Sequence, residues 1–218
     1  MRKLLLLRPE PGLSASAERA RAQGLEVLCC PLFRIEPVEW AAPDAAQFDA
    51  LLMTSANAVR CAGAQLDQIR SLPVHAVGQS TALAAQKAGL RVETVGSGNV
   101  ADLLAELPST VRLLHLAGED HHPTDTRQIE RRITYRAMPF ADPGLPRLSG
   151  LVVAVHSPRA ATRLGELAKE RASTIIAAIS KAAASAVGAG WQEVAVAKEP
   201  NDKSLLALAA SLCHKSDQ

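Results

Sequence analysis

Apolar runs of strand length recur along the chain, and most end in small polar residues. Residues 3–7, 25–29, 50–53, 74–77, 91–95, 111–116, 151–155, 175–179 and 193–197 are largely unbroken in apolar character. Such runs predict strands buried on both faces, the habit of parallel sheets. Segments with helical spacing lie between them. Ser14 is placed to cap a helix over 14–23 that Gly24 ends, and a helix over 80–88 is closed by Gly89. Further helices are expected over 41–47, 58–66, 100–107, 124–132, 159–170, 181–188 and 205–214. A turn is expected at 96–98 and a polar loop over 117–123, leaving 31–38 and 133–140 as extended, proline-bearing connectors that each carry an arginine.

The pattern repeats. Met53-Thr54-Ser55-Ala56-Asn57-Ala58-Val59 follows one apolar run, and about 102 residues later Val155-His156-Ser157-Pro158-Arg159-Ala160-Ala161 follows another. His75-Ala76-Val77-Gly78-Gln79-Ser80-Thr81-Ala82 is echoed by Ala177 to Ala184, and Asn99 with Leu103-Leu104 by Asn201 with Leu205-Leu206. A period near 100 residues is the size of a domain, not of a solenoid repeat. Each repeat holds three strand–helix units and needs two more strands for a five-stranded sheet. The economical assignment is an α/β protein of two flavodoxin-like parallel-sheet domains joined by a two-stranded hinge, the second inserted into the first. That places domain 1 at 1–33 and 143–218, domain 2 at 41–132, and the connectors at 34–40 and 133–142. A structure in which residues 1–30 packed with 50–107 would refute it.

Composition narrows the class. With 48% hydrophobic and 21% charged residues the chain reads as a soluble globular protein with an aliphatic core, since aromatics make up 3%. No basic block with interleaved aromatics points to nucleic acid. The apolar run after Met1-Arg2-Lys3 is too short for a signal peptide, and no segment has the length of a membrane span. Cys29, Cys30, Cys61 and Cys213 lack CxxC spacing and read as reduced thiols of a cytoplasmic protein. A monomer is expected, because no amphipathic stripe is left over.

Ligands of parallel sheets sit off the C-terminal ends of the strands, where the small polar joints lie. Ser55 or Asn57 caps the helix that follows, and a helix start also attracts anions. Gly78-Gln79-Ser80-Thr81 can bind a carboxylate through backbone N–H groups, but it lacks the dinucleotide fingerprint and the P-loop lysine. His121-His122, with Glu119, Asp120 and Asp125 nearby, lacks a third spaced ligand, so no metal is expected. No nucleophile elbow occurs. Tyr135 is the sole tyrosine. On its connector it either exchanges a proton through its phenol or fills space between strands.

These motifs, in this order, resemble the uroporphyrinogen-III synthase family. The matching residues are Leu7-Arg8-Pro9-Glu10, Pro31-Leu32 with Ile35-Glu36-Pro37, Thr54 to Val59, Val77 to Ala82, Gly98-Asn99 with Leu103-Leu104, Tyr135-Arg136, Ser157 to Ala161, and Pro200-Asn201-Asp202. The resemblance implies a two-domain hinge enzyme with no metal and no organic cofactor. Its substrate would be hydroxymethylbilane, a linear tetrapyrrole with eight carboxylates. It would remove water, invert the last pyrrole ring through a spiro intermediate and close the macrocycle. Hand-over of the substrate from hydroxymethylbilane synthase is the implied partnership. Substrate binding would fall to Ser55, Asn57, Gly78, Ser80 and Thr81 on one domain and to Arg8, Ser157 and Arg159 on the other. Tyr135 would help the hydroxyl leave. At the last domain's Gly-x-x-Thr-like joint this chain has Ser180-Lys181-Ala182-Ala183, so Ser180 or Lys181 would replace the usual hydroxyl. The competing reading is a non-catalytic two-lobed protein that closes on an anionic small molecule.

Overall fold

The computed structural model describes residues 1–97, 100–120 and 128–215. It divides into unit 1, Met1–Arg34 with Pro139–Gln218, and unit 2, Ile35–Met138.

Unit 1 contains β1 (Leu4–Leu6), α1 (Gly12–Ala22) and β2 (Val27–Cys29) from the start of the chain. Most of the β3 strand (Phe33–Pro37) belongs to unit 2. So do β4 (Ala50–Met53), α2 (Ala56–Cys61), β5 (Val74–Ala76), α3 (Gln79–Lys87), β6 (Val92–Val95), α4 (Val100–Ala105), β7 (Leu113–Gly118) and nearly all of β8 (Ile129–Pro139). The chain then returns to unit 1 with β9 (Val152–Val155), α5 (Pro158–Leu167), β10 (Ile175–Ala178), α6 (Lys181–Ala186), β11 (Glu193–Val196) and α7 (Asp202–His214).

The strand order in unit 1 is β11-β10-β9-β1-β2, all parallel. Counted along that unit the order is 2-1-3-4-5, the flavodoxin-like arrangement. The N-terminal strands thus join the C-terminal ones, as the sequence repeat requires. Unit 2 has the order β3-β8-β7-β4-β5-β6. Its strands β7 and β8 occupy the places that β1 and β2 take in unit 1, so the chain enters the same arrangement at its third strand. β3 is added at the edge. It runs antiparallel to β8, since the Val38 N–H donates to Thr134 O at 2.9 Å and the Phe140 N–H to Leu32 O at 3.0 Å.

Why these segments are strands follows from burial. Leu4, Leu5, Leu6, Leu51, Leu52, Met53, Val152, Val153 and Ala154 have no measurable exposure. A residue pointing either way from such a strand meets apolar side chains. In unit 1 one sheet face packs with Leu13, Ala17 and Ala20 of α1 and with Leu205, Leu206, Ala209 and Leu212 of α7. In unit 2 one face packs with Val59 of α2 and Ala82 and Ala85 of α3, the other with Leu103 and Leu104 of α4.

Several expected helices differ. The helix α1 starts at Gly12, not Ser14, because the Glu10 carboxylate accepts the Ser14 N–H at 3.1 Å and so supplies the acceptor from outside the helix. The helix expected over 58–66 is two pieces. α2 stops at Cys61, and Gly63 (φ 61°) leads a 3-10 stretch, Gly63–Ile69. Within 41–47 only Ala45–Gln47 is helical, as a 3-10 turn capped by Asp44. Of the helix expected over 124–132, Ile129 to Arg132 is instead the start of β8, where pairing with β7 overrides local propensity. Of the expected loop over 117–123, Ala117 and Gly118 finish β7. The remainder of both segments that falls in 121–127 lies outside the described residues.

Candidate functional site

Each parallel strand delivers its polar joint to the C-terminal end of its sheet. In unit 2, β4 ends at Thr54 and Ser55. Ser55 Oγ accepts the Asn57 N–H at 3.2 Å and caps α2. Asn57 Oδ1 accepts from Arg60 Nη1 at 3.1 Å. Thr54 Oγ1 lies 3.0 Å from Nε2 of the buried His115, which ties β4 to β7.

Gly78 follows β5 and heads α3 with an extended backbone. Ser157 caps α5 through the Ala160 N–H at 3.2 Å, Ser180 caps α6 through the Ala183 N–H at 3.2 Å, and Asn201 caps α7 through the Ser204 N–H at 2.8 Å. Among the strand-end helices whose caps are described, α3 alone begins without a side-chain acceptor. The Thr81 and Ala82 N–H groups turn back to Gly78 O, and the N–H groups ahead of them have no capping side chain. Ser80 is exposed on that first turn. Thr81, grouped with it by sequence, is 4% exposed and lies on the buried face of α3.

Tyr135 lies on β8 beside the last residue of β7. Its ring packs against the core that Met53 and Ala58 share, and its phenol end passes directly over Gly118. The Glu119 N–H donates to Tyr135 O at 3.0 Å. The phenol thus stands at the C-terminal end of β7, the strand next to β4.

In unit 1 the strand ends converge on a carboxylate. Asp202 Oδ1 accepts from Arg8 Nη1 at 2.9 Å, from Ser16 Oγ at 2.6 Å and from His156 Nε2 at 2.9 Å; Oδ2 accepts from Arg19 Nη2 at 2.8 Å and Nε at 3.0 Å. A carboxylate only accepts, so Nε2 of His156 carries the proton. Burial holds the His156 imidazole below its ordinary value, Arg8 pushes the same way, and the bond to Asp202 opposes both. Burial also pushes the Asp202 carboxyl up, but the bonds from His156 and Ser16, with the Arg8 charge, outweigh it and hold it well below the usual carboxylate range.

Arg8, expected at the substrate, is therefore engaged with Asp202 and Ser16 in this structure. Arg159 stacks 4.8 Å from the Phe33 ring centroid. Lys181 is exposed on the first turn of α6. Within unit 1 the network joins Arg8 to residues that the sequence reading did not assign: Ser16, Arg19, His156 and Asp202. One signal for them existed. Leu13, Ser16, Ala17 and Ala20 form the buried stripe of α1, and a serine there needs a polar partner.

Among the described residues no group of His, Cys, Asp and Glu is arranged to hold a metal ion. His121, His122 and Asp125 lie outside them. The four cysteines are free thiols, and no described helix is long and apolar enough to cross a membrane.

Comparisons with known proteins bear on this arrangement. A family model described as uroporphyrinogen-III synthase HemD matches residues 14–207. The structure is similar to a uroporphyrinogen-III synthetase from Helicobacter pylori 26695, with TM-score 0.67 and 18% identity, over 97% of this chain and 100% of that one. It is also similar to a mutant uroporphyrinogen III synthase from the extremely thermophilic bacterium Thermus thermophilus, with TM-score 0.58 and 19% identity, over 98% and 100% of the two chains. At these identities the likeness concerns the fold. A comparison with curated proteins finds no match.

Proposed function

The chain belongs to the uroporphyrinogen-III synthase family, and from that premise we propose which of its residues carry the reaction. It is a cyclising lyase of heme biosynthesis, which dehydrates hydroxymethylbilane and closes it with inversion of ring D to uroporphyrinogen III. Family membership decides against the non-catalytic binding protein.

The chemistry asks for little beyond placement. The hydroxyl of the substrate leaves as water once it receives a proton, and the azafulvene left behind reacts with the ring held against it. We assign the proton to Tyr135. The observation that carries this is the position of its phenol over Gly118 at the C-terminal end of β7. Ring closure later releases a proton from the attacked pyrrole carbon, which restores the balance.

The carboxylates need donors. In unit 2 we assign one of them to Gly78 and Ser80 at the start of α3, with Thr81 beneath as support; Ser55 and Asn57 offer a second position at α2. In unit 1 the assignments are Arg8, Ser157 and Arg159, with Ser180 and Lys181 at the departed joint. We take the enzyme to act as a cytoplasmic monomer. It would receive its substrate from hydroxymethylbilane synthase, because a bilane that loses hydroxide unaided favours short delivery.

The test is incubation with freshly made hydroxymethylbilane. Faster ring closure with the type III isomer as product is expected. Type I alone, at the unaided rate, would overturn the reading.

A further inference from the structure

We infer that Gly118 and Thr134 are positioning residues for Tyr135, which together aim its phenol at the C-terminal end of β7. This rests on Tyr135 as the proton donor.

Two independent features point there. The first is register. β7 and β8 run in step from Leu113 opposite Ile129 to Ala117 opposite Ile133, and then Gly118 faces Tyr135. Thr134 is the residue left over. An extra residue in one strand breaks the alternation and re-aims the side chain that follows. In uninterrupted register residue 134 would meet Gly118, and Tyr135 would shift one place along and to the opposite face. The step is anchored from both sides of the residue. The fully buried Thr134 donates its Oγ1 proton to Ala58 O at 3.2 Å, and its carbonyl accepts the Val38 N–H at 2.9 Å.

The second feature is the absence of a side chain at 118. A Cβ there would stand 2.6 Å from Cζ of Tyr135, 2.8 Å from its hydroxyl oxygen and 2.9 Å from Cε2. These are the atoms at the working end of the ring, and the rest of the ring is held by the unit 2 core. Gly118 has no positive φ, so alanine suits its backbone. The cost of a methyl group at 118 therefore falls on the phenol.

Because the chain has one tyrosine, 3-fluorotyrosine gives a single ¹⁹F resonance from the residue in question. The experiment compares wild type, Gly118→Ala, Thr134→Val, Tyr135→Phe and the Gly118→Ala/Tyr135→Phe double variant. Each is checked for its melting temperature and its kinetics on hydroxymethylbilane, and each variant that keeps Tyr135 for its ¹⁹F spectrum. Gly118→Ala should move the resonance and lower kcat by roughly tenfold with a much smaller change in KM. Thr134→Val keeps the shape, removes the Oγ1 bond, and should move the resonance the same way with a fall of about threefold. In the Tyr135→Phe background Gly118→Ala should cost less than about twofold, since the ring it displaces no longer carries the hydroxyl that gives the proton. A displaced resonance with unchanged kcat, or an equal loss in both backgrounds, would overturn the positioning inference alone. Near-normal turnover by Tyr135→Phe would overturn the proton-donor reading instead, and the inference with it.

Discussion

Arg70 donates to the Ala88 carbonyl at 2.9 Å, and Arg171 donates to the Ala189 carbonyl at 2.9 Å, each reaching 18 residues along the chain to the turn that follows a helix. The two units thus close corresponding helices with the same bond, near the same offset that relates their sequences. Their strand ends are finished differently. At the offset of 102 residues His156 of unit 1 corresponds to Thr54 of unit 2, and Asp202 to Val100. Unit 1 gathers Arg8, Arg19, Ser16 and His156 on one carboxylate. Unit 2 joins Thr54 to His115, leaves α3 without a side-chain cap, and sets a phenol over a bare glycine. One scaffold therefore ends in a charge lock and again in uncharged groups that suit binding and proton transfer.

The largest effect expected from breaking this contrast is on the lock. Asp202→Asn leaves two guanidiniums without their counter-charge and the buried imidazole N–H with a weaker acceptor. It should lower the stability of unit 1 by about 3 kcal/mol, read from denaturant unfolding. A loss below about 1 kcal/mol, in the range of an exposed pair, would mean that the network is solvated and not a lock.

The helix-end arginines sharpen the comparison. Arg171 donates to two carbonyls, Ala189 and Gly165, and stacks 5.2 Å from Trp191. Arg70 donates to one carbonyl and pairs with the exposed Asp67. Arg171→Ala should cost roughly 2 kcal/mol and Arg70→Ala roughly 1. Equal losses would show that the extra contacts of Arg171 add nothing.

The smallest stability effect concerns pH. His156 has its pKa lowered on folding, so the unfolded chain binds the proton more readily, and stability falls as pH drops below about 6.5 toward the folded value. Asp202, also lowered, adds a loss of the same sign further into the acid range. His75 in unit 2 is likewise held down by burial, against a weaker pull from Glu93. His156→Gln keeps an N–H toward Asp202 and should make the acid slope shallower by less than about 1.4 kcal/mol per pH unit, with the His75 share retained. An unchanged slope between pH 6.5 and 5 would mean that His156 does not titrate on unfolding.

The sequence made the strands legible because a strand buried on both faces must be apolar throughout, and the 102-residue echo made the topology legible. It misled where long-range pairing decides. Arg131 and Arg132 sit in a stretch rich in helix-compatible residues, yet β7 recruits them as strand. The hydroxyl joints stand at strand ends, as the apolar runs before them imply, but which of them are spent on caps depends on geometry. Ser55, Ser157 and Ser180 accept their own helix N–H groups, Thr81 is nearly buried, and Gly78 leaves α3 without a side-chain cap. The Asp202 network was out of reach because its members come from positions 8, 16, 19, 156 and 202, and only folding brings them together. Tyr135 was legible as a candidate. Its seat on Gly118 was not, since that depends on a one-residue register step.

On the proposal that Tyr135 is the proton donor, the chemistry belongs to the β7–β8 edge of unit 2. The most direct measurement is the turnover of hydroxymethylbilane by Tyr135→Phe, with the isomers of the product separated. The account predicts an unchanged melting temperature, a kcat lower by roughly ten- to a hundredfold, and a product that is still type III, because isomer choice comes from how the rings are held. Near-normal turnover to type III would contradict it and remove Tyr135 as the donor, while closure to type I would show that Tyr135 shapes the substrate instead.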